Sequence, residues 1–379
     1  MRILLVCNEY PPLPHGGIGT FVQSYARALS LRGHNVFVVG ISSHPSVWDD
    51  GDVRVRTILS SRLRYVGNLF SRIRLRRFLT EMVQRENIDI IETPDYMGFL
   101  PFGVPGCPVI VRLHLSDTAI CLAAKQKPGP AIRFYERETL RYNANWIGVS
   151  DYIMKLTKET FSISPQQSAI VYNPLPATPT VATAPSGLPA NFVLFASAVT
   201  RRKGAIVLAQ AMRDLLAHRP ELHLVYVGQV FNEGPKPVSD IALDLFPPSL
   251  KERVHFLGRL ERDQVLACMA NARVFAFPST LEAFGLVALE AMSKGVPIVC
   301  TNFPPGPELV QDGVNGLLAD PRIAKDFQEK ILRLLDDPEL AKRLSTNALK
   351  DLGQRFSMSQ CIDLSLKFYE QCIRSGVKQ

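Results

Sequence analysis

Two glutamates eight residues apart carry the strongest chemical signal in the chain. Glu282 and Glu290 lie in FPSTLEAFGLVALEAMSKGVPIVC, residues 277–300. An apolar run ends at Phe277-Pro278-Ser279, a loop carries Glu282, and Phe284-Gly285 opens a helical pattern that contains Glu290. Gly295 and Pro297 close that helix before the next apolar run. The spacing predicts a strand–loop–helix unit. Its first N–H groups, near Phe284, Gly285 and Leu286, suit phosphate oxygens. Gly285 permits close backbone approach. Carboxylates accept hydrogen bonds from vicinal hydroxyls, so the pair could hold a sugar and a ribose. Either glutamate alone reads more simply as a helix-start acid or as the exposed side of an apolar helix.

Such a unit needs sheets to position it. The chain has 379 residues, 46% of them apolar and 21% charged, which predicts two ordinary cores. Short apolar runs read as buried strands at 2–7, 35–41, 88–93, 108–114 and 145–150. Helical spacing falls at 18–32, 66–85, 130–143 and 151–162. Five prolines between 174 and 189 mark a linker. The same alternation then returns, with strands expected at 191–197, 222–228, 253–258, 273–279 and 296–301. The expected division is residues 1–174, a linker at 175–189, and 190–356. Alternating strands and helices predict an α/β fold of two doubly wound parallel sheets. Ligands bind such sheets at the carboxyl ends of the strands, and two facing sheets would form one central cleft.

The segment 277–300 resembles the E-x7-E motif of the family-4 retaining glycosyltransferases, which have the GT-B fold. Further landmarks follow in order. Pro11-Pro12 with Gly16, Gly17 and Gly19 resembles the family's glycine loop after the first strand. His114 ends the run PVIVRLH as the family's histidine does, and Val149-Ser150 and Tyr172-Asn173-Pro174 precede the domain crossing. Lys203-Gly204 resembles the donor-binding Lys-Gly, and Pro307-Glu308-Leu309-Val310 with Asn315-Gly316-Leu317 matches a later stretch.

The resemblance implies transfer of a sugar from a nucleotide-diphosphate donor to a hydroxyl acceptor, a glycan, glycolipid or polysaccharide precursor. It implies Glu282 on hydroxyls of the transferred sugar and Glu290 on the ribose. Lys203 would neutralise the diphosphate, with the amides at 284–286 and Gly16 and Gly17 assisting, and His114 would lie near the reacting sugar. It also implies a C-terminal helix, around 357–374, returning to the first domain. A fixed cation and a helix N-terminus stabilise charge on a departing diphosphate. No D-x-D pair follows a strand, so no metal and no cofactor are expected.

The chain departs from the pattern at two places. Ala198 stands where the family has an arginine on the diphosphate, and Arg202, or second Arg201, is the expected replacement. Pro304-Pro305-Gly306 replaces the usual Gly-Gly before the Pro-Glu pair. A non-catalytic nucleotide-sugar binder on the same fold is therefore the alternative.

The net charge is +8, with 20 basic against 14 acidic residues over 1–174 and 23 against 21 after it. An anionic partner on the first half is one reading. Residues 62–78 hold six arginines and no acid, with Val66, Leu69, Phe70 and Ile73 on one helical face. That face either packs on the sheet, the favoured reading, or lies on anionic lipid as a peripheral membrane contact. No nucleic-acid motif accompanies the charge. Seven scattered cysteines without a CxxC pair, and only a short apolar run at the start, lead to an expected cytoplasmic location, peripheral to the inner membrane face if the lipid contact holds.

Overall fold

The runs of apolar residues fold as parallel strands, and the order in which they pair creates two equivalent crevices. The computed structural model describes residues 1–61, 63, 66–175 and 183–376. Its contacts divide it into two units, residues 1–176 with 358–379, and residues 177–357. Of the expected linker at 175–189, residues 176–182 lie outside the described residues.

Unit 1 begins with β1 (Arg2–Val6), α1 (Gly17–Leu31), β2 (Asn35–Ser42), β3 (Val47–Asp50) and β4 (Val53–Leu59). It continues through α2 (Gly67–Glu86), β5 (Ile90–Pro94), β6 (Val109–Leu113), α3 (Asp117–Ala123), α4 (Pro130–Tyr142), β7 (Asn145–Gly148), α5 (Asp151–Phe161) and β8 (Gln167–Ile170). The sheet order is β3-β4-β2-β1-β5-β6-β7-β8. Every pair is parallel except β3 with β4. The chain runs outward from β1 through β2 to β4, then resumes on the other side of β1 at β5. That reversal opens a crevice beyond the carboxyl ends of β1 and β5.

Unit 2 repeats this plan. It comprises β9 (Phe192–Ala196), α6 (Ala205–His218), β10 (His223–Val227), β11 (Asn232–Glu233), β12 (Lys236–Pro237), α7 (Val238–Leu243), α8 (Pro248–Lys251) and β13 (Val254–Phe256). Then come α9 (Arg262–Asn271), β14 (Val274–Phe277), α10 (Leu286–Ser293), β15 (Ile298–Thr301), α11 (Gly306–Leu309), β16 (Leu317–Ala319), α12 (Ala324–Asp336) and α13 (Pro338–Arg355). The main sheet runs β13-β10-β9-β14-β15-β16, so the reversal lies between β9 and β14.

The last helix, α14 (Met358–Gly376), belongs to unit 1. Its residues Cys361, Ile362, Phe368, Tyr369 and Cys372 share a core with Phe21, Tyr25 and Leu29 of α1. A buried polar network fixes the register. Arg112 in β6 donates to both oxygens of Glu92 in β5 at 2.7 and 3.0 Å, and to the Ser365 hydroxyl at 3.1 Å. The Tyr369 hydroxyl donates to Glu92 as well. Removing one partner would strand a buried charge, at a cost of about 3–5 kcal/mol.

The expected packing of the basic stretch is corrected here. On α2 the buried positions are Gly67, Ser71, Arg72, Leu75, Leu79, Met82 and Val83, while Val66 and Phe70 are exposed. Arg72 turns inward because three backbone carbonyls receive its guanidinium, those of Gly98, Asn68 and Met97. Residues 62, 64 and 65 of that stretch lie outside the described residues.

Candidate functional site

In unit 2 the two chemically loaded loops leave adjacent strands at the reversal of the sheet. β9 and β14 pair in parallel, with Leu194 opposite Phe275. The loop after β9 carries Arg202 and Lys203, and the loop after β14 carries Glu282 and Phe284. Backbone and side chains stitch the loops together. The N–H of Thr280 donates to the Arg202 carbonyl at 2.9 Å and its hydroxyl donates to the same oxygen at 3.0 Å. Arg202 Nη1 donates in return to the Leu281 carbonyl at 3.2 Å.

Gly204 explains how the loops come so close. Its φ is +84°, and a Cβ there would lie 2.2 Å from the Pro278 carbonyl oxygen. Only glycine fits that contact and that backbone. The consequence is an ion pair between the Lys203 ammonium and Glu282 Oε1, with both side chains largely buried. Lys203 and Glu282 are 79 residues apart, so this pairing is a product of the fold alone.

Gly285, at φ +97°, is the N-cap of α10. No side chain caps that helix start. The N–H groups of Leu286 and Val287, in the first helical turn, have no acceptor within the helix. The Phe284 ring turns away into the core against Phe356 at 5.8 Å. The result is a helix N-terminus and a lysine at one sheet reversal, which suits a polyanion. Glu290 sits one helical turn further on. Arg262, at the start of α9, donates to Glu290 Oε1 from Nε at 3.0 Å, and Arg262 Nη2 lies 3.0 Å from the same oxygen. Glu290 Oε2 has no partner among the described residues, which leaves an acceptor held in a fixed direction.

The two places where the sequence departs from the family pattern can be located. Ala198 follows the end of β9. Of the expected replacements, Arg201 pairs with Glu233 at 2.7 Å on an exposed turn, and Arg202 lies against the Glu282 loop. In the Pro304-Pro305-Gly306 turn, a Cβ on Gly306 would meet the Thr301 carbonyl oxygen at 2.0 Å, so this turn too requires its glycine.

In unit 1, His114 follows β6 and its N–H donates to Asp95 Oδ1 at 2.7 Å. The imidazole tilts against Phe21 with ring centroids 5.2 Å apart. Burial pushes its pKa down to about 3, and the positive Arg112 adds to the effect, so the ring is neutral. Asp95 is fully buried, and burial raises its carboxyl to about 7. Its Oδ2 has no hydrogen-bond partner among the described residues.

Gly16 and Gly17 begin α1, whose N-terminus is already filled. Glu9 accepts from the N–H of Gly16 at 3.2 Å and from that of Gly19 at 2.8 Å. A Cβ on Gly19 would lie 2.0 Å from the Glu9 carbonyl oxygen, which fixes this loop against the helix.

The structure therefore brings Lys203, Arg202, Glu282, Gly285 and Glu290 together within unit 2. His114, Gly16 and Gly17 belong to unit 1. Sequence reasoning missed Arg262, Asp95 and Glu9. Arg262 opens a helix as many arginines do, and Asp95 follows a proline as turn residues do, so neither carries a local signal. Glu9 did carry one, an acid seven residues before a glycine-rich helix start.

Comparison with known proteins identifies the family. Residues 183–351 match the family "Glycosyl transferases group 1" and residues 15–178 match "Glycosyltransferase Family 4". The chain is 28% identical to an uncharacterized glycosyltransferase of Methanocaldococcus jannaschii, over 76% of this chain and 77% of that one. It is 25% identical to a glycogen synthase of Mycobacterium tuberculosis, over 97% and 94% of the two chains. Among solved structures, a sucrose-phosphate synthase from Thermosynechococcus elongatus superposes with a TM-score of 0.78 at 20% identity, covering 99% of each chain. Anabaena HepE in complex with UDP superposes at 0.71, also at 20% identity, over the whole of both chains. These neighbours place the fold as GT-B. The chain belongs to the family-4 glycosyltransferases.

Proposed function

From that membership we propose that this enzyme transfers a sugar, with retention of anomeric configuration and without a metal ion, from a nucleoside-diphosphate sugar to a hydroxyl of a carbohydrate or lipid-linked acceptor. The observation that carries the proposal is the Lys203–Glu282 pair beside the uncapped start of α10. The donor diphosphate takes the Lys203 ammonium and the amides of Leu286 and Val287. Glu282, released from full pairing with Lys203, turns its carboxylate to hydroxyls of the transferred sugar. Glu290, oriented by Arg262, accepts from the ribose hydroxyls. Arg202 supplies the second cation that Ala198 does not. As the sugar–oxygen bond breaks, the electron pair and negative charge move to the leaving phosphate, where this cluster stabilises them. The acceptor hydroxyl attacks the face the phosphate leaves and passes its proton to a phosphate oxygen. His114 of unit 1, being neutral, can donate or accept one hydrogen bond.

In this proposal Lys203, Arg202 and the start of α10 supply the positive charge that a metal ion would otherwise bring to the diphosphate. The HepE neighbour was solved with UDP and with UDP-glucose, which makes uridine donors the first to test.

A membrane role is part of the same proposal. No helix of the described residues is long and apolar enough to cross a bilayer. Exposed Leu63, Val66 and Phe70 beside exposed Arg74 and Arg77 suit shallow contact with an anionic surface at the inner face of the membrane.

The deciding experiment is a screen of nucleotide sugars for thermal stabilisation and hydrolysis in excess chelator, followed by NMR of the product anomer. Stabilisation and turnover with chelator present, giving the donor's own anomeric configuration, are expected. Turnover that requires added manganese or magnesium would overturn metal independence, and an inverted anomer would overturn retention. Tight donor binding with no turnover on any acceptor would favour the non-catalytic alternative.

A further inference from the structure

A cavity of about 780 Å³ opens at the amino ends of β5, β6, β7 and β8, within the roughly 300–1,000 Å³ that small-molecule sites occupy. The loop at 102–106 and the last turn of α14 close its sides. His114 follows the carboxyl end of β6, while Val109, at the other end of that strand, lines the cavity. Strand geometry puts these two residues roughly 16 Å apart. The proposed transfer uses no residue of this wall.

The wall leaves amide oxygens without donors. Asn143, 4% exposed, donates both amide hydrogens, to the carbonyls of Leu100 at 2.9 Å and Thr139 at 2.7 Å. Those two bonds fix the orientation of the amide, and its Oδ1 accepts from no described residue. Gln167 Oε1 is buried and also has no partner among the described residues. A buried acceptor without a donor is costly, so a ligand that brings O–H groups gains by meeting both oxygens.

The same wall holds cations with donors to spare. Arg76 donates from Nε to the Gly103 carbonyl at 3.1 Å, and its two terminal nitrogens make no hydrogen bond among the described residues. A Cβ on Gly103 would lie 3.4 Å from Asn143 Oδ1, so this cation and the open amide oxygen flank one residue. Arg141 lies over the Tyr142 ring at 5.1 Å and meets Glu138 through Nε at 3.4 Å, which leaves its terminal nitrogens. Tyr142 meets Phe102 edge-on with centroids 6.4 Å apart, and these rings offer an apolar face. Asp89 is the acid in the wall, and it accepts from the Arg2 N–H at 2.7 Å. Two arginines against one carboxylate favour an anion.

We propose that this cavity is a binding site, separate from the transfer reaction, for a monosaccharide that carries a phosphate group. The phosphate takes the terminal nitrogens of Arg76 and Arg141. Sugar hydroxyls donate to Asn143 Oδ1 and Gln167 Oε1, and the C–H face of the ring packs on Phe102 and Tyr142. A bare phosphate brings too few donors for the amide oxygens, and a neutral sugar leaves the arginines unused. The site does not depend on the proposed transfer, because no donor-binding residue contributes to it. Residues 377–379, which follow the wall residue Gly376, lie outside the described residues.

The test uses the buried Trp146, whose Nε1 donates to the Asn143 carbonyl at 2.9 Å. The chain's other tryptophan is Trp48, so Trp48→Phe leaves Trp146 fluorescence as a reporter beside the cavity. Glucose 6-phosphate, glucose and inorganic phosphate are titrated into that variant of the whole chain. Glucose 6-phosphate is expected to bind about tenfold or more tightly than either of the others. Arg76→Gln and Arg141→Gln should each weaken it about tenfold. Arg141 is exposed, so its variant should keep the parent's denaturation midpoint. Lys203→Ala should leave this binding unchanged, and loss of the signal there would place the ester at the donor position and overturn the site. Equal affinity for inorganic phosphate would overturn the sugar part of the proposal, and equal affinity for glucose the anion part. No response in fluorescence or calorimetry at about tens of millimolar, or binding indifferent to both arginine substitutions, would overturn the site. Binding that appears only after residues 377–379 are deleted would overturn it as well.

Discussion

The two sheet reversals use one architecture and leave opposite electrostatics at it. In unit 1 a glycine-rich loop leads from β1 into α1, and Glu9 occupies the amides at that helix start. In unit 2 the loop after β14 leads through Gly285 into α10, no side chain caps the start, and Lys203 stands in the neighbouring loop. One crevice has neutralised its own anion position and the other has left it open beside a cation. Two sheets of one topology therefore present different side chains at their reversals, Glu9 in one and the Lys203–Glu282 pair in the other.

The largest effect should come from the glycines that bring these loops to their strands. Gly204→Ala and Gly19→Ala would place a methyl group 2.2 and 2.0 Å from a carbonyl oxygen, respectively. Each should destabilise its unit by about 3 kcal/mol or more in chemical denaturation. A loss under about 1 kcal/mol at either would mean that the loop shifts freely and the site is not rigidly built.

Next comes the open crevice. Lys203→Ala should lower turnover about 10²- to 10³-fold and Arg202→Ala about 10²-fold, with kcat falling more than KM rises. Installing Ala198→Arg in the Arg202→Ala background should restore part of the loss. Wild-type turnover with Arg201 and Arg202 both replaced by alanine would remove arginine from the account. Glu290→Ala should weaken donor binding by about 1–3 kcal/mol by calorimetry. Arg262→Ala should cost less, because the carboxylate remains but loses its fixed direction.

The smallest effect per unit of the variable is a pH dependence within unit 1. The raised pKa of Asp95, about 7 against an ordinary 3.8, means the folded state binds a proton more tightly than the unfolded one. Its contribution is present in acid and is lost as pH rises from about 4 to about 7. His114, lowered from 6.5 to about 3, behaves oppositely and costs stability as pH falls below 6.5. The two oppose each other between about pH 4 and 6.5. Asp95→Asn should expose the histidine slope, up to about 1.4 kcal/mol per pH unit, in denaturation midpoints. An unchanged pH profile in that variant would show that the carboxyl is solvated.

What the sequence disclosed follows the range of the forces involved. Local periodicity placed β1, α1, β2 and the segment around Glu282 and Glu290, because apolar runs and glycine stops act within a few residues. It overlooked β4, whose Val53-Arg54-Val55-Arg56 alternation marks a sheet strand with one face in solvent. It also missed β16, only three residues long. The inward turn of Arg72 depended on carbonyls up to 26 residues away, and the exposure of Phe70 followed from it. Lys203 with Glu282, between two loops, and Arg262 with Glu290, between α9 and α10, are pairings that no linear spacing encodes.

The most direct test of the contrast between the two crevices is calorimetry of nucleoside-diphosphate binding, using the tightest of UDP, GDP and ADP, across the wild type, Lys203→Ala and Glu9→Gln. The account predicts binding weakened at least tenfold by Lys203→Ala and unchanged by Glu9→Gln. Binding that survives Lys203→Ala but changes with Glu9→Gln would place the diphosphate at the α1 crevice and contradict it.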